Sequence, residues 1–323
     1  MATYTTYIPE SGAVGQREDL SNTIFNIAPT ETPVVSSIGK TKATATYHEW
    51  QTDDLAAADN SGLLEGADAA AASATPTVRV GNRTQIQGKT VHVSGTLDAV
   101  DKAGRKTETA YQLAKSGQEL KRDMEKTILS NVDQSAGTTT AARLLGGIQT
   151  WLKSNFVTMT DGVAPTTADG NNPRTEGATA AAFTEAKLKE CVKKVFENGG
   201  NPTMLVVPPT QKQVVSEFAG IAAQRYEAPK SKATTIIGAA DVYLSDFGTL
   251  SVVPDRFMTA DTTPDAEQAL VLDPTMASIA TLRPFQSQLL AKTGDSEKHQ
   301  MIVEYTLAVN NEKAHGIVAD LAV

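Results

Sequence analysis

Ala110, Leu113, Gly117, Leu120, Met124 and Ile128 recur in steps of three and four, so they share one face of a helix. Lys115, Glu119, Lys121, Arg122, Asp123, Glu125 and Lys126 point elsewhere in that reading. Thr107 suits the N-cap and Asn131 the C′ position, so at 1.5 Å per residue the element spans about 35 Å, comparable to a small domain. Such a helix acts as a spine. Gly117 costs about 1 kcal/mol relative to alanine, which close backbone packing against another element would offset. The plain alternative is an ordinary core helix. A long polar, β-rich arm precedes this helix, an order that points away from an enzyme core.

The 323 residues suffice for one large domain or two. Aromatic residues are only 5% of the chain and much of the 40% hydrophobic fraction is alanine, so the cores must be built from Val, Ile, Leu and Ala in thin layers. A formal net charge of −8 argues against tight, sequence-independent gripping of a nucleic-acid backbone, which needs clustered Lys and Arg. Cys191 is the single cysteine, which excludes an internal disulfide and a thiolate zinc cluster. The N-terminus has no basic start followed by an apolar stretch, and no run of eighteen apolar residues occurs; the chain reads as made and used without export.

Residues 1–38 lack sustained periodicity but carry apolar anchors at Leu20, Ile24, Phe25, Ile27, Val34 and Val35, the pattern of an arm that docks. A short helix is expected over Glu18 to Ile27, after which Pro29 and Pro33 force extended backbone. Thr41 to Leu55 and Thr77 to Leu97 read as strands around a turn-rich tip, Ala56 to Pro76, that holds Asn60-Ser61-Gly62, Leu63 and Leu64. The unit is a long two-stranded arm, marginal alone in water, that needs another surface to lie on, most economically a neighbouring subunit's.

Asn131 to Ala182 is mostly turn residues around an apolar patch at Leu144, Leu145, Ile148, Trp151 and Leu152, with Thr160 to Thr179 as an exposed loop. Thr184 to Asn198 reads as a helix, Thr203 to Val207 as a buried strand, and Pro208-Pro209-Thr210 opens another helix. Val242 to Ser245, Thr249 to Val253, Ala269 to Leu272, Ala277 to Leu282, Ser287 to Ala291, Met301 to Ala308 and His315 to Leu321 are strand candidates. The fold class is α+β.

No GxGxxG, GxxxxGK[ST], GxSxG or HExxH pattern occurs. His48 and Glu49, adjacent on a strand, point to opposite faces. Cys191 sits among lysines on a helix and reads as a small packing residue. Asp53-Asp54 and Asp261 with Asp265 could hold a hard cation or simply be solvated. Lys102, Arg105 and Lys106 cluster at the start of the spine helix, where positive charge opposes the helix dipole, so an acidic partner would relieve them; a subunit contact and plain solvation both fit. Arg79 and Arg83 on the second arm strand invite the same two readings.

The order of docking arm, long hairpin, spine helix, compact α/β region and closing strands resembles the major capsid proteins of tailed bacteriophages, the Hong Kong ninety-seven fold. The strings REDLSNTIFNIAPTETPVVSSIG (Arg17 to Gly39), YHEWQTDDLAA (Tyr47 to Ala57) and SDFGTLSVVPDRFM (Ser245 to Met258) look like one branch of that family. The resemblance implies an N-terminal arm over 1–41, an extended loop over 42–97 reaching over a neighbour, and a peripheral domain over 98–181 with the spine helix at 107–131. It further implies an axial domain over 182–257, with loops such as Gly220 to Ala240 gathered at the symmetry axes, and strands over 258–323 that return to the peripheral and axial domains. Interface candidates are then Leu20, Ile24, Phe25, Trp50, Leu63, Leu64, Arg79, Arg83, Lys102, Arg105 and Lys106. The implied function is a non-enzymatic homo-oligomer of hexamers and pentamers, assembled in the host cytoplasm into an icosahedral virion shell that encloses double-stranded DNA without sequence-specific binding. No cofactor, metal or membrane is implied; a scaffolding protein, a portal and decoration proteins are the expected partners. Leu55 to Arg79 contains no lysine, so the shell is expected to be non-covalent, and the short stretch before Arg17 favours a separate scaffolding protein. An encapsulin-like compartment that encloses cargo proteins is the alternative; a hydrolase or ligand-binding protein would need a convergent polar pocket for which no motif is present.

Overall fold

The computed structural model describes residues 30–66, 68, 76–218, 241–258 and 267–322. Pro33, with its fixed φ and no N–H to satisfy, opens the short helix α1 (Pro33–Ser37) instead of forcing extended backbone. There follow β1 (Gly39–Lys42), β2 (Tyr47–Thr52), β3 (Val78–Arg83), β4 (Gln85–Ser94), the short helix α2 (Gly95–Ala99) and the long helix α3 (Glu108–Leu129). After β5 (Phe156–Thr158) come α4 (Glu185–Glu197), β6 (Met204–Val207), α5 (Pro209–Ser216), the hairpin of β7 (Val242–Ser245) with β8 (Gly248–Pro254), and β9 (Ala269–Leu272). The long pair β10 (Ala277–Leu289) and β11 (Ser296–Val309) and the short β12 (Gly316–Ala319) close the chain. The expected helix over Glu18 to Ile27 and the loop over Gly220 to Ala240 lie outside the described residues.

Three sheets result. One has the order β1-β10-β11-β4, with only β1 parallel to its neighbour; a mixed sheet runs β5-β12-β9-β6-β8-β7; β2 and β3 form a separate ribbon. Ser287 to Ala291 is not a strand of its own: β10 runs on to Leu289 with bulges on either side of Arg283 that carry it past Pro284. Among the described residues β1 covers only the first part of β10, so Arg283 to Leu289 is an open edge.

The spine helix α3 lies on β4 and β11 and ends within two residues of its expected bounds. Leu120, Met124 and Ile128 are buried beneath it together with Leu129, whereas Ala110 at the other end of the stripe is exposed. Gly117 is not clasped by another backbone: a Cβ there would meet only the Met301 side chain, its sulfur at an ordinary 3.6 Å. Thr107 makes no side-chain cap either. Asp98 of α2 replaces it, accepting the Glu108 N–H at 2.9 Å and the Thr109 hydroxyl at 3.3 Å, and the Glu108 N–H bond holds its carboxyl below the usual range. Glu125, expected to face away from the apolar stripe, is fully buried. It turns inward because it caps α1, taking the Val34 and Val35 N–H groups at 2.7 and 2.8 Å.

The core falls into two clusters. Val34, Leu120, Met124, Ile128, Trp151 and Tyr305 belong to the one around α3; Leu188, Cys191, Val192, Leu205, Val215 and Leu250 belong to the one beneath α4 and α5. Cys191 is a packing residue as expected, and burial pushes its thiol pKa up to about 12. The run from Thr160 to Thr179 is not simply an exposed loop. It contains Arg174, whose fully buried guanidinium meets Gln149 at 2.8 Å, Gln268 at 3.0 Å, Glu176 at 2.6 Å and Asp320 at 3.9 Å, so the polar composition serves an internal ion network.

Candidate subunit interface

β2 and β3 make the stem of the arm, in register from Tyr47 opposite Arg83 to Thr52 opposite Val78. The strand expected over Thr77 to Leu97 is therefore two strands. At Thr84 the chain leaves the ribbon, and β4 enters the four-stranded sheet beside β11. Strand-forming residues stand on both sides of the break, Val78 and Val80 before it and Ile86, Val91 and Val93 after it, which is why residue preference alone merges them; the polar triplet Asn82-Arg83-Thr84 marks the division.

That triplet forms the root of the arm. Asn82 is fully buried, and its amide donates to Gly146 O at 3.0 Å and Leu307 O at 2.8 Å while accepting the Gly146 and Arg83 N–H groups at 2.9 Å each. Thr84 donates its hydroxyl to Glu304 at 2.8 Å, and Glu304 also receives Arg143 and, at 2.7 Å, Arg283. Arg143 in turn donates to Thr84 O. Gly81 fits because β2 passes close by: a Cβ there would lie 2.7 Å from His48 O.

Of the residues singled out in the sequence, Trp50 leaves the ribbon face to meet Trp151, ring centroids 5.3 Å apart, so it anchors the stem on its own subunit. A cavity of about 290 Å³ opens beside this contact, lined by Thr52, Val78, Val80, Trp151 and Val309, and the pair of Asp54 and Lys313, 2.6 Å apart, spans its rim. Arg79 reaches across the ribbon to Glu49 at 3.1 Å and Arg83 stacks 5.1 Å over the Tyr47 ring. Leu63 and Leu64 are at the other extreme: with Leu55 they are the most exposed large apolar side chains of the described residues, and Leu63 touches nothing that reduces its exposure.

Lys102 and Arg105 find acidic partners within the chain. The Lys102 ammonium donates to the Asp98 and Val100 carbonyls at 3.0 Å each and lies 3.8 Å from the Asp98 carboxylate; Arg105 pairs with Glu108 and stacks over Tyr111. Lys106 is exposed. Leu20, Ile24 and Phe25 lie outside the described residues, as do Asp261 and Asp265. Asp53 is exposed, with Asp54 turned to Lys313. His48 and Glu49 face Asn82 and Gly81 in the ladder and do not converge on a common site.

Comparison with known proteins gives this geometry a context. Residues 2–322 match the family model described as SU10 major capsid protein. Over 117 residues the chain is 43% identical to the major capsid protein of Escherichia phage Phieco32, a match that spans 36% of this chain and 33% of that protein, so about a third of the relative's length is matched. Among solved structures, Gordonia phage Cozz superposes with a TM-score of 0.61 at 13% identity, covering 100% of this chain and 99% of the other. The capsid of a native GTA particle gives 0.62 at 12% identity, covering 99% and 100%. The holo-SrpI encapsulin complex of Synechococcus elongatus PCC 7942 gives 0.54 at 10% identity, covering 93% and 92%. At such identities the superpositions speak for the fold alone, and the fold they share is the Hong Kong ninety-seven fold. With all but the terminal residues inside the family model, the chain belongs to the SU10 major capsid protein family.

Proposed function

We propose that the chain is the shell subunit of a tailed phage, assembling through hexamers and pentamers into an icosahedral capsid around double-stranded DNA. The observation that carries this is the arm. Its root is locked by buried hydrogen bonds at Asn82, while beyond the β2–β3 stem Leu55, Leu63 and Leu64 stand almost entirely in solvent. Exposed leucines on a built arm are costly in water unless another surface covers them, and a neighbouring copy related by rotation provides one. In this reading residues 1–41 are the N-terminal arm, 42–97 the extended loop, 98–181 the peripheral domain, 182–257 the axial domain and 258–323 the returning strands. Trp50, Arg79 and Arg83 stiffen the loop, and Leu63 and Leu64 make the intersubunit contact. The acidic chain fits a shell that contains DNA without adhering to it, and scaffolding, portal and decoration proteins are its partners in the host cytoplasm.

The fold is shared with an encapsulin, but the family match is to a phage capsid protein, which favours a genome over cargo enzymes. Negative-stain imaging and size-exclusion chromatography, with the protein expressed alone and with a scaffolding protein, test assembly. Closed shells, or free hexamers and pentamers, are expected; a monomer under every condition refutes the proposal. Deleting Asn60 to Ala71 should leave a folded subunit that forms no closed shells, and normal shells from this variant would refute the role of the arm. Nuclease-protected, genome-length DNA in purified particles separates a capsid from a cargo compartment.

A further inference from the structure

Glu125 and Asp255 are both fully buried, and they come from different parts of the chain, Glu125 from the spine helix and Asp255 from the end of β8. Both Glu125 oxygens are taken by the first N–H groups of α1. Asp255 is fixed by its own backbone, whose N–H donates to Val207 O at 2.9 Å, and by the Phe257 N–H, which donates to Oδ1 at 2.8 Å. Its Oδ2 is sealed from water and receives no N–H or O–H from any described residue; the group beside it is the Glu125 carboxyl. No charged residue is available on α1, whose sequence is PVVSS; Arg122, one turn earlier on α3, lies over the Phe257 ring at 5.5 Å, and Arg256 is exposed. Two carboxyls without a facing cation cannot both ionise cheaply, so the pair retains a proton.

We propose that this carboxyl pair is a proton-operated latch, which fastens the segment entering at α1 to the spine helix and to the β8 end and loosens as the shared proton is lost. One proton between the two groups lets Glu125 keep both α1 N–H bonds while Asp255 holds Glu125 in place. Without it, two buried anions repel and the separation of α1 from the pair relieves them. Burial, with the Asp255 carboxyl beside it, raises the Glu125 pKa from its ordinary 4.5 to about 8. The closed state therefore binds a proton that the opened, hydrated state gives up near pH 4.5, so opening becomes easier across the window from about 4.5 to about 8 and is constant above it. The latch is independent of the proposed shell and would act in the isolated subunit.

The test is hydrogen exchange of the peptide over residues 30–40 in the full-length protein, wild type against Asp255→Asn, at pH 5.5, 6.5 and 7.5. The asparagine keeps the shape and can donate an N–H to Glu125 without titrating. Because both proteins share the same chemical exchange rate at each pH, the wild-type-to-variant ratio isolates opening. A ratio that rises by up to about ten-fold per pH unit is expected. A ratio independent of pH overturns the latch. Should the variant not fold, carboxyl carbon NMR of the wild type decides: a midpoint above about 5.5 for one of the two groups supports the shared proton, and both midpoints below it overturn it.

Discussion

Replacing Asn82 with alanine removes that residue's hydrogen bonds from the arm's root while leaving every apolar contact of the ribbon in place. Three long-range bonds of 2.8–3.0 Å disappear, and with them the partners of the Gly146 N–H, Gly146 O and Leu307 O. All three lie in fully enclosed surroundings. A buried polar group left without a partner costs about 1–3 kcal/mol, and some of that returns if a water enters the space vacated by the amide. Three such groups, partly rescued, give a loss of about 3–4 kcal/mol, a large share of the 5–15 kcal/mol typical of a folded domain. In urea unfolding of dispersed subunits, with an m-value of about 3 kcal/mol/M, the midpoint should fall by about 1 M. Asn82→Asp sharpens the test. It preserves the acceptor for Gly146 N–H but sets a carboxylate oxygen against two carbonyls, so it should be at least as damaging as alanine. A shift below about 0.3 M for both variants would refute the assignment of Asn82 as the anchor.

The sheet-spanning Arg79 gives the contrasting case: its pair with Glu49 is solvent-exposed, so Arg79→Ala should change subunit stability by less than about 0.5 kcal/mol in the same assay. His315 predicts an acid limit. Its ring is buried, accepts the Asp273 N–H at 3.2 Å and has its pKa lowered to about 4 by desolvation, so the unfolded chain takes up a proton that the folded one refuses. Stability should therefore decline as pH falls from about 6.5 to about 4, by at most about 3 kcal/mol, and level off below; His315→Gln should flatten that part of a thermal-unfolding pH profile, and an unchanged slope would count against this cause.

Wherever one physical rule dominates, the sequence is a faithful guide. The spine helix, the α4 helix with Thr184 at its N-cap, and strand β9 all follow from spacing and burial, because long-range partners only reinforce what the local pattern prefers. The misreadings share a different cause. Glu125 looks like one more solvated charge on α3, since nothing local reveals that another helix, ninety residues away in the chain, will offer it two N–H groups. Arg174 hides within a turn-rich run for the same reason. The division of one expected strand at Thr84 depends on whether β2 or β11 is the neighbour, a tertiary choice that residue preference does not encode. Of the candidate interface, the ribbon and its exposed leucines were legible; the root at Asn82, Arg143 and Glu304 was not, because buried polar anchors carry no periodicity.

The single-residue junction at Thr84 also gives the subunit a load path. A pull transmitted down β3 from the tip passes that residue into β4, which is paired to β11 at ten successive positions. Tension along a strand is then divided across the whole ladder, while Asn82 and Glu304 resist sideways tilt at the joint. The arm is mounted as a cantilever fixed to the edge strand of the four-stranded sheet, so a load on its tip passes into the long ladder of β4, β11 and β10.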